Sequence, residues 1–281
     1  MQQQNSICDF NSSDSWVILS PIEQSIKKKI EAVGTPLKDW DINIYRGVLT
    51  GCNEAFIIDS QKRDEILANC QTEDERKRTA ELIRPILRGR DIKRYGYVDN
   101  GLYLINTHNG VKGKVPRIDI NDYPAVKAHL DQYWDKISVR ADKGDTPYNL
   151  RNCAYLEDFF KPKITWGNLN LEGTYSYAPE GMFINAPSPF IATTNIAILH
   201  ILNSTIADYY IRSLGVTRNG GYFEYKPMFV EKLPVPKTGL DKLMSYPTQP
   251  SQKQKQEMAA IIYQLYGLSQ QEIDYLENRE L

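Results

Sequence analysis

Residues 84–105 read RPILRGRDIKRYGYVDNGLYLI, and the punctuation inside this run governs how the segments around it assort. Pro85 pushes its predecessor out of the helical region, so a helix arriving from the N-terminal side must stop before it. Asn100-Gly101 stands between Tyr97-Val98 and Leu102-Tyr103-Leu104-Ile105. That is the strongest short-range hairpin signal in the chain, because two-residue hairpin loops need the positive φ that Asn and Gly tolerate. From just before the first marker onward, Arg84, Arg88, Arg90, Lys93 and Arg94 crowd around Gly89.

On the N-terminal side, Thr72-Glu73-Asp74-Glu75 is a capping box for the helix that Pro85 ends. Ser60 caps a short charged helix reaching to near Cys70. Ile42, Ile44, Val48 and Thr50 alternate with polar neighbours, and residues 51–54 turn the chain into Ala55-Phe56-Ile57-Ile58, so the pattern predicts a hairpin. Ser20-Pro21-Ile22-Glu23 is a capping box with proline in the first turn, opening a helix that runs to Gly34.

On the C-terminal side, Pro124 opens an amphipathic helix with Val126, Leu130, Tyr133, Trp134 and Ile137 on one side. A loop follows over 141–152, then short strands over 163–166, 174–177, 182–185 and 190–193. The spacing of Ile198, Leu199, Leu202, Ile206 and Tyr209 predicts one long apolar helix over 196–211. Residues 215–225 are glycine-rich and read as a loop with a short strand, and Leu233-Pro234-Val235-Pro236 is extended. A polar linker over 238–252 precedes helices over 254–266 and 270–278, the last opened by the box Ser269-Gln270-Gln271-Glu272. No internal repeat is visible. The expected fold is α+β: a strand-rich body flanked by helices, with a C-terminal helical pair. The expected organisation is an N-terminal helical segment (1–34), a central domain (35–237), and a linker with the closing helices (238–281).

Composition is that of an ordinary globular chain: of 281 residues, 41% are hydrophobic and 25% charged, with mean hydropathy −0.48. No apolar run approaches the roughly 18 residues that span a bilayer. The start MQQQNS is no secretory signal, so the expectation is a cytoplasmic protein without a membrane partner. Cys8, Cys52, Cys70 and Cys153 stand far apart without C-x-x-C pairs or nearby histidines, which argues against zinc and against a disulfide framework. The net charge of −1 conceals segregation. From residue 84 to 117, Arg84, Arg88, Arg90, Lys93, Arg94, Lys112, Lys114 and Arg117 face only Asp91 and Asp99, whereas the stretch from Glu257 onward is acidic.

Several catalytic signatures are missing. There is no Walker loop, no G-x-S-x-G, no H-E-x-x-H, no Pro-Asp dipeptide of the nuclease kind and no N-P-P-[FYW] loop. His108, His129 and His200 lack evident base or metal partners, and His200, on an apolar helix, reads as a satisfied core histidine. Asp59, Asp64 and Glu65, the best nuclease-like carboxylates, fall on a charged helix and read as solvated. No catalytic residue and no metal ligand is expected in this chain.

Six segments in order carry a resemblance: GVLTGCNEAF (47–56), ILRGRDIKRY (86–95), YNLR leading to KPKI (148–151 and 161–164), LHILNS running on to Tyr209 and Tyr210 (199–204), LPVP (233–236) and LYGLSQQEI (265–273). Together they resemble the C-terminal specificity domain of TaqI-like DNA methyltransferases and of fused type IIG restriction-modification enzymes. The resemblance implies double-stranded DNA as partner, and a methyltransferase or endonuclease domain of the same or another chain as neighbour. It implies no cofactor here: S-adenosylmethionine, and Mg²⁺ where DNA is cut, would bind those other domains. The front departs from the family, since 1–34 is too short for a methyltransferase domain. A C-terminal fragment is the expectation, with a free-standing specificity subunit, like those of type I systems, as the alternative. A protein-interaction scaffold using the terminal helices is a further one.

On that resemblance the cations Arg84, Arg88, Arg90, Lys93, Arg94, Lys112 and Lys114 are candidates for phosphate contacts, with Gly89 letting the backbone approach. The alternative is a solvated basic face in which Asp91 pairs with Arg88 or Arg94. Asn168 and Asn170, after a strand, and Arg218, Asn219 and Tyr222, in a flexible loop, are candidate base readers, because Asn matches adenine and Arg guanine by paired hydrogen bonds. Ordinary turn chemistry explains the same residues equally well.

Overall fold

A four-stranded antiparallel sheet runs in the order Tyr175–Ala178, Lys163–Trp166, Pro189–Ala192, Ile44–Arg46. Successive strand residues face opposite ways, and here the two ways lead to two different cores. Ile44, Ile164, Trp166 and Ile191 point into a helical core, while Tyr45, Ala178 and Phe190 point into a second one. The sheet is therefore buried on both faces. The structure, a computed structural model, describes residues 19–215 and 217–279. Cys8, Glu280 and the first 18 residues of the expected N-terminal segment lie outside them.

The second core is built on another four-stranded sheet, in the order Phe183–Ile184, Ile83–Leu87, Leu102–Ile105, Ile57–Asp59; its first pair is parallel and the others antiparallel. Helices Ser60–Ala68, Glu73–Leu82 and Pro124–Asp131 cover it, burying Ile66, Leu82, Val126 and Leu130. The helical core gathers the two ends of the chain. Ile26 and Ile30 from helix Pro21–Val33 meet Met258, Ile262 and Leu276 from helices Gln252–Leu265 and Gln270–Glu277. Both capping boxes read from the sequence at these ends, at Ser20 and Ser269, are formed. The α+β expectation holds.

Four local expectations change. The tight hairpin of 92–97 closes at Arg94-Tyr95, with Ile92–Lys93 paired to Gly96–Tyr97 and Tyr95 at φ 61°. Asn100-Gly101 turns the chain, but Leu102–Ile105 pairs with Ile57–Asp59 and Ile83–Leu87 instead. As a central strand it buries Leu104 and Ile105 completely, which an edge position in a short ribbon would not do. Likewise 42–58 is no hairpin: a helical turn, Asn53–Phe56, intervenes, and the flanking strands join different sheets. The long apolar helix is two, Ile196–Leu202 and Thr205–Ser213. It breaks because Asn203 spends its side chain on both backbone groups of Tyr175 (2.9 and 3.0 Å), while the Ser204 hydroxyl caps the second helix by accepting from Ala207 N. Finally, the linker contains a helical turn, Asp241–Met244, anchored by fully buried Leu243.

Cys52, Cys70 and Cys153 are free and half-buried. Among the described residues no group of His, Cys, Asp or Glu is placed to hold a metal, and no helix is long and apolar enough to cross a membrane.

Candidate nucleic-acid interface

Trp166 is fully buried and donates its indole N–H to Tyr225 O (2.7 Å), which fixes the point where the strand ends and the chain turns. The turn is closed by Asn170, whose amide donates to Gly167 O (3.0 Å) and to Thr174 Oγ1 (3.2 Å). Leu169–Asn170 then pairs with Phe223–Glu224, bringing the loop around residue 219 to the same edge. The basic segment arrives there too. A Cβ placed on Gly167 would lie 3.1 Å from Gly89 O, and one on Gly89 would lie 2.6 Å from Ser188 Oγ. The Gly89 and Gly167 turns thus pack backbone to backbone, and glycine at 89 serves internal packing. It was expected to open the backbone to a phosphate; the neighbour it admits is Ser188.

A helix carries the loops from behind. Asp208, on Thr205–Ser213, accepts from Gly173 N (2.8 Å), Tyr225 OH (2.5 Å) and Arg279 Nη2 (3.3 Å). One turn later Arg212 donates to Leu171 O (2.7 Å) and to Gly221 O (3.2 Å). Sequence reasoning missed both, because an acid and a base four apart on a helix look like a surface pair. Within the far loop Arg218 N donates to Tyr222 O and Gly221 N to Arg218 O, with Gly220 and Gly221 at φ 75° and 80°.

The predicted cations divide. Arg88 makes a forked pair with Asp91 (Nε–Oδ2 2.8 Å, Nη2–Oδ1 3.0 Å), and Asp91 is only 5% exposed. Burial pushes the Asp91 carboxyl up, but hydrogen bonds from the Arg88 side chain and backbone outweigh it and hold the pKa below its usual range. Arg94 donates to Glu172 Oε2 (3.0 Å) and Gly173 O. Arg84 stacks on Phe160, 5.0 Å from the ring centre. Of these three only Arg88 is held by a buried acid; Arg94 is exposed and its partner Glu172 partly so, and Arg84 is half-buried. Arg90 and Lys93 remain exposed beside the Gly89 turn. Lys112 and Lys114 are also exposed, on a loop that Asn109 ties to Asp145 and Asn152, away from the Gly89 turn in sequence and built on the other core.

The predicted base readers divide as well. Asn170 spends its amide nitrogen within its own turn, which supports turn chemistry for it. Asn219 and Tyr222 are exposed, and with Arg218 they line an open cleft of about 620 Å³ floored by Phe223 and Phe229. Arg218 pairs with Glu224 (2.7 Å) yet stays 61% exposed. Asn168 spends its backbone carbonyl on Tyr225 N, and its side chain, half-buried, makes no hydrogen bond to a described residue. Leu169, Leu171 and Tyr222 stand exposed along the same edge.

His200 is a core residue, but not the satisfied one expected: it is fully buried and neither ring nitrogen makes a hydrogen bond of ordinary geometry to a described residue.

The family profile described as the TaqI-like C-terminal specificity domain matches residues 84–235, more than half of the chain. The chain belongs to this family. The matched span runs from the Gly89 turn to the far cleft, so the edge just described lies within it. No curated protein is similar enough in sequence to count as a relative. Among solved structures, the specificity-domain chain is similar to the type IIL restriction-modification enzyme MmeI, whose structure was determined in complex with DNA. The TM-score is 0.56 at 13% identity over 85% of this chain and 35% of MmeI. It is also similar to the type IIG restriction endonuclease BpuSI, with a TM-score of 0.50 at 13% identity over 88% of this chain and 28% of BpuSI. At such identities the likeness is one of fold. The family member described here spans about a third of the length of those enzymes.

Proposed function

We propose that this chain is a double-stranded DNA target-recognition module, acting in the cytoplasm beside the methyltransferase or endonuclease part of a type II restriction-modification system. The observation that carries the reading is the packing of the Gly89 turn against the Gly167 turn. It sets two exposed cations, Arg90 and Lys93, next to a loop edge bearing Asn168, Arg218, Asn219 and Tyr222. Cations hold phosphates and give register; amides, a guanidinium and apolar tips such as Leu169 and Leu171 suit base edges and thymine methyls. Helix Thr205–Ser213 stiffens both loops through Asp208 and Arg212, which a reader of base edges needs. On this reading the bond-making groups, with S-adenosylmethionine and any Mg²⁺, belong to the catalytic part and not to this edge. A binding selection on randomised duplexes tests it. One short preferred sequence is expected, with Asn219→Ala relaxing the preference at one or two adjacent base pairs. Binding without sequence preference, or none at low salt, overturns it.

A further inference from the structure

Two of the family-like segments, 47–56 and 148–151, take no part in the edge described above. They converge elsewhere, on a cavity of about 280 Å³ whose apolar walls are Val48, Leu49, Leu150 and Phe159. At about 30 Å³ per water it would hold some nine waters, and its size is at the lower limit of small-ligand sites, about 300 Å³. Its polar groups are few and convergent. Asn106 is 4% exposed, its side chain has no hydrogen-bond partner among the described residues, and the surface it keeps faces the cavity. The amide opens on the cavity, where water or a bound molecule can answer it. His108 accepts Gly110 N–H at Nδ1 (3.2 Å); burial lowers its pKa, so the neutral ring carries its proton on Nε2 as a donor. Tyr155 and Phe159 line the cavity with near-parallel rings, 5.9 Å apart and 29° from coplanar. Two exposed cations, Arg46 and Arg151, stand at the rim; Arg151 pairs with Asp142 (3.2 Å), whereas Arg46 has no ion-pair partner among the described residues.

A largely apolar cavity with one aromatic side, an amide offering one donor and one acceptor, and guanidinium groups at the mouth match a flat heterocycle with a phosphate attached. We propose that this cavity binds a single unstacked adenine nucleotide, with Asn106 reading the base edge and Arg46 holding the phosphate. Asn pairs with adenine through N6 and N7. The proposal rests on the DNA reading only for the source of the nucleotide, an extrahelical base of the duplex or a free mononucleotide.

Titration of the full chain with dAMP, dGMP, dCMP, TMP and deoxyadenosine, followed by NMR, tests it. Expected is a Kd for dAMP below about 1 mM, weaker binding of dCMP and TMP, and a loss of about tenfold or more in Asn106→Ala. Arg46→Ala, at an exposed position that leaves the fold intact, weakens dAMP but not deoxyadenosine. Tighter binding of a duplex with one unpaired adenine than of its fully paired counterpart, lost in Asn106→Ala, names DNA as the source; a dAMP response without that preference names the free nucleotide. No dAMP response at millimolar concentration together with no bulge preference overturns the proposal, as does indifference to both substitutions. Paired-duplex binding that persists in that case leaves the DNA reading standing.

Discussion

Arg88 and Arg90 are two residues apart and do opposite jobs. Arg88 neutralises a buried carboxylate, so Arg88→Ala strands Asp91; the cost is about 2 kcal/mol, below the 3–5 kcal/mol of fully buried pairs because Arg88 keeps part of its surface. Arg90 is exposed. Arg90→Ala is expected to leave the melting temperature unchanged, weaken all duplexes alike and reduce the salt slope by about one, whereas Arg88→Ala lowers the melting temperature. Calorimetry and duplex titration on the two variants separate the roles; equal melting temperatures would contradict the ion-pair assignment. His200 gives a second residue-level test. Burial lowers its pKa to about 4, against an ordinary value near 6.5. Between those values the unfolded chain takes up a proton that the folded chain refuses, so stability falls as pH drops below about 6.5 until about 4. His200→Leu removes two unpartnered buried nitrogens and is expected to flatten that limb, with stability at pH 7 equal or higher. Lower stability of the variant at pH 7 would show that the ring is satisfied in the fold.

At the scale of elements, helix Thr205–Ser213 holds the reading loops through main-chain carbonyls. Arg212→Ala is expected to loosen Leu171 and Gly221 and to cost sequence preference more than affinity, since it removes no phosphate contact; a selection in which affinity drops and preference survives would contradict this. The closing helix is pinned differently. Glu272 caps its own helix at Ser269 and accepts from Lys29 Nζ (2.6 Å) and Ser25 OH (2.7 Å) across to the first helix. Burial alone would raise its pKa, but these bonds hold it at about 2. Its stabilisation is therefore present above the ordinary carboxylate pKa and lost as pH falls from about 4.5 to 2. Glu272→Gln should cost about 2 kcal/mol at pH 7 and much less at pH 2, measured as denaturant midpoints. The acidic tail read from the sequence is thus partly internal: this carboxylate pins the chain's two ends together.

For the whole molecule, two cores share one sheet, so the basic turn and the reading loops are held by the sheet's shared strands and not by a linker. With Arg88 held by buried Asp91, and Arg84 and Arg94 already in contact with Phe160 and Glu172, about two to four phosphates are expected to be neutralised. The slope of log K against log salt is then expected at about −2 to −4, shallower than the seven candidate cations would give. Duplex titrations across a range of salt check it, and a slope near −6 would mean that the internal pairs open on binding.

What the sequence determined by itself is what near neighbours settle. The boxes at Ser20 and Ser269 start their helices because a cap acts over three residues, and the strands over 163–193 show in short apolar runs. The run ILRGRDIKRY placed the chain in its family, yet it offered Arg88 and Arg94 equally as partners for Asp91. Only the tertiary structure chose Arg88, spent Asn170 on its own turn and broke the apolar helix at Asn203 to serve Tyr175. It also moved Leu102–Ile105 from a hairpin to the middle of a sheet. The reason is physical: the last two depend on burying apolar area and satisfying backbone groups between segments distant in the chain. Arg88 and Asn170 instead bond within three or four residues, where several partners stand equally near in sequence and only the folded geometry selects one.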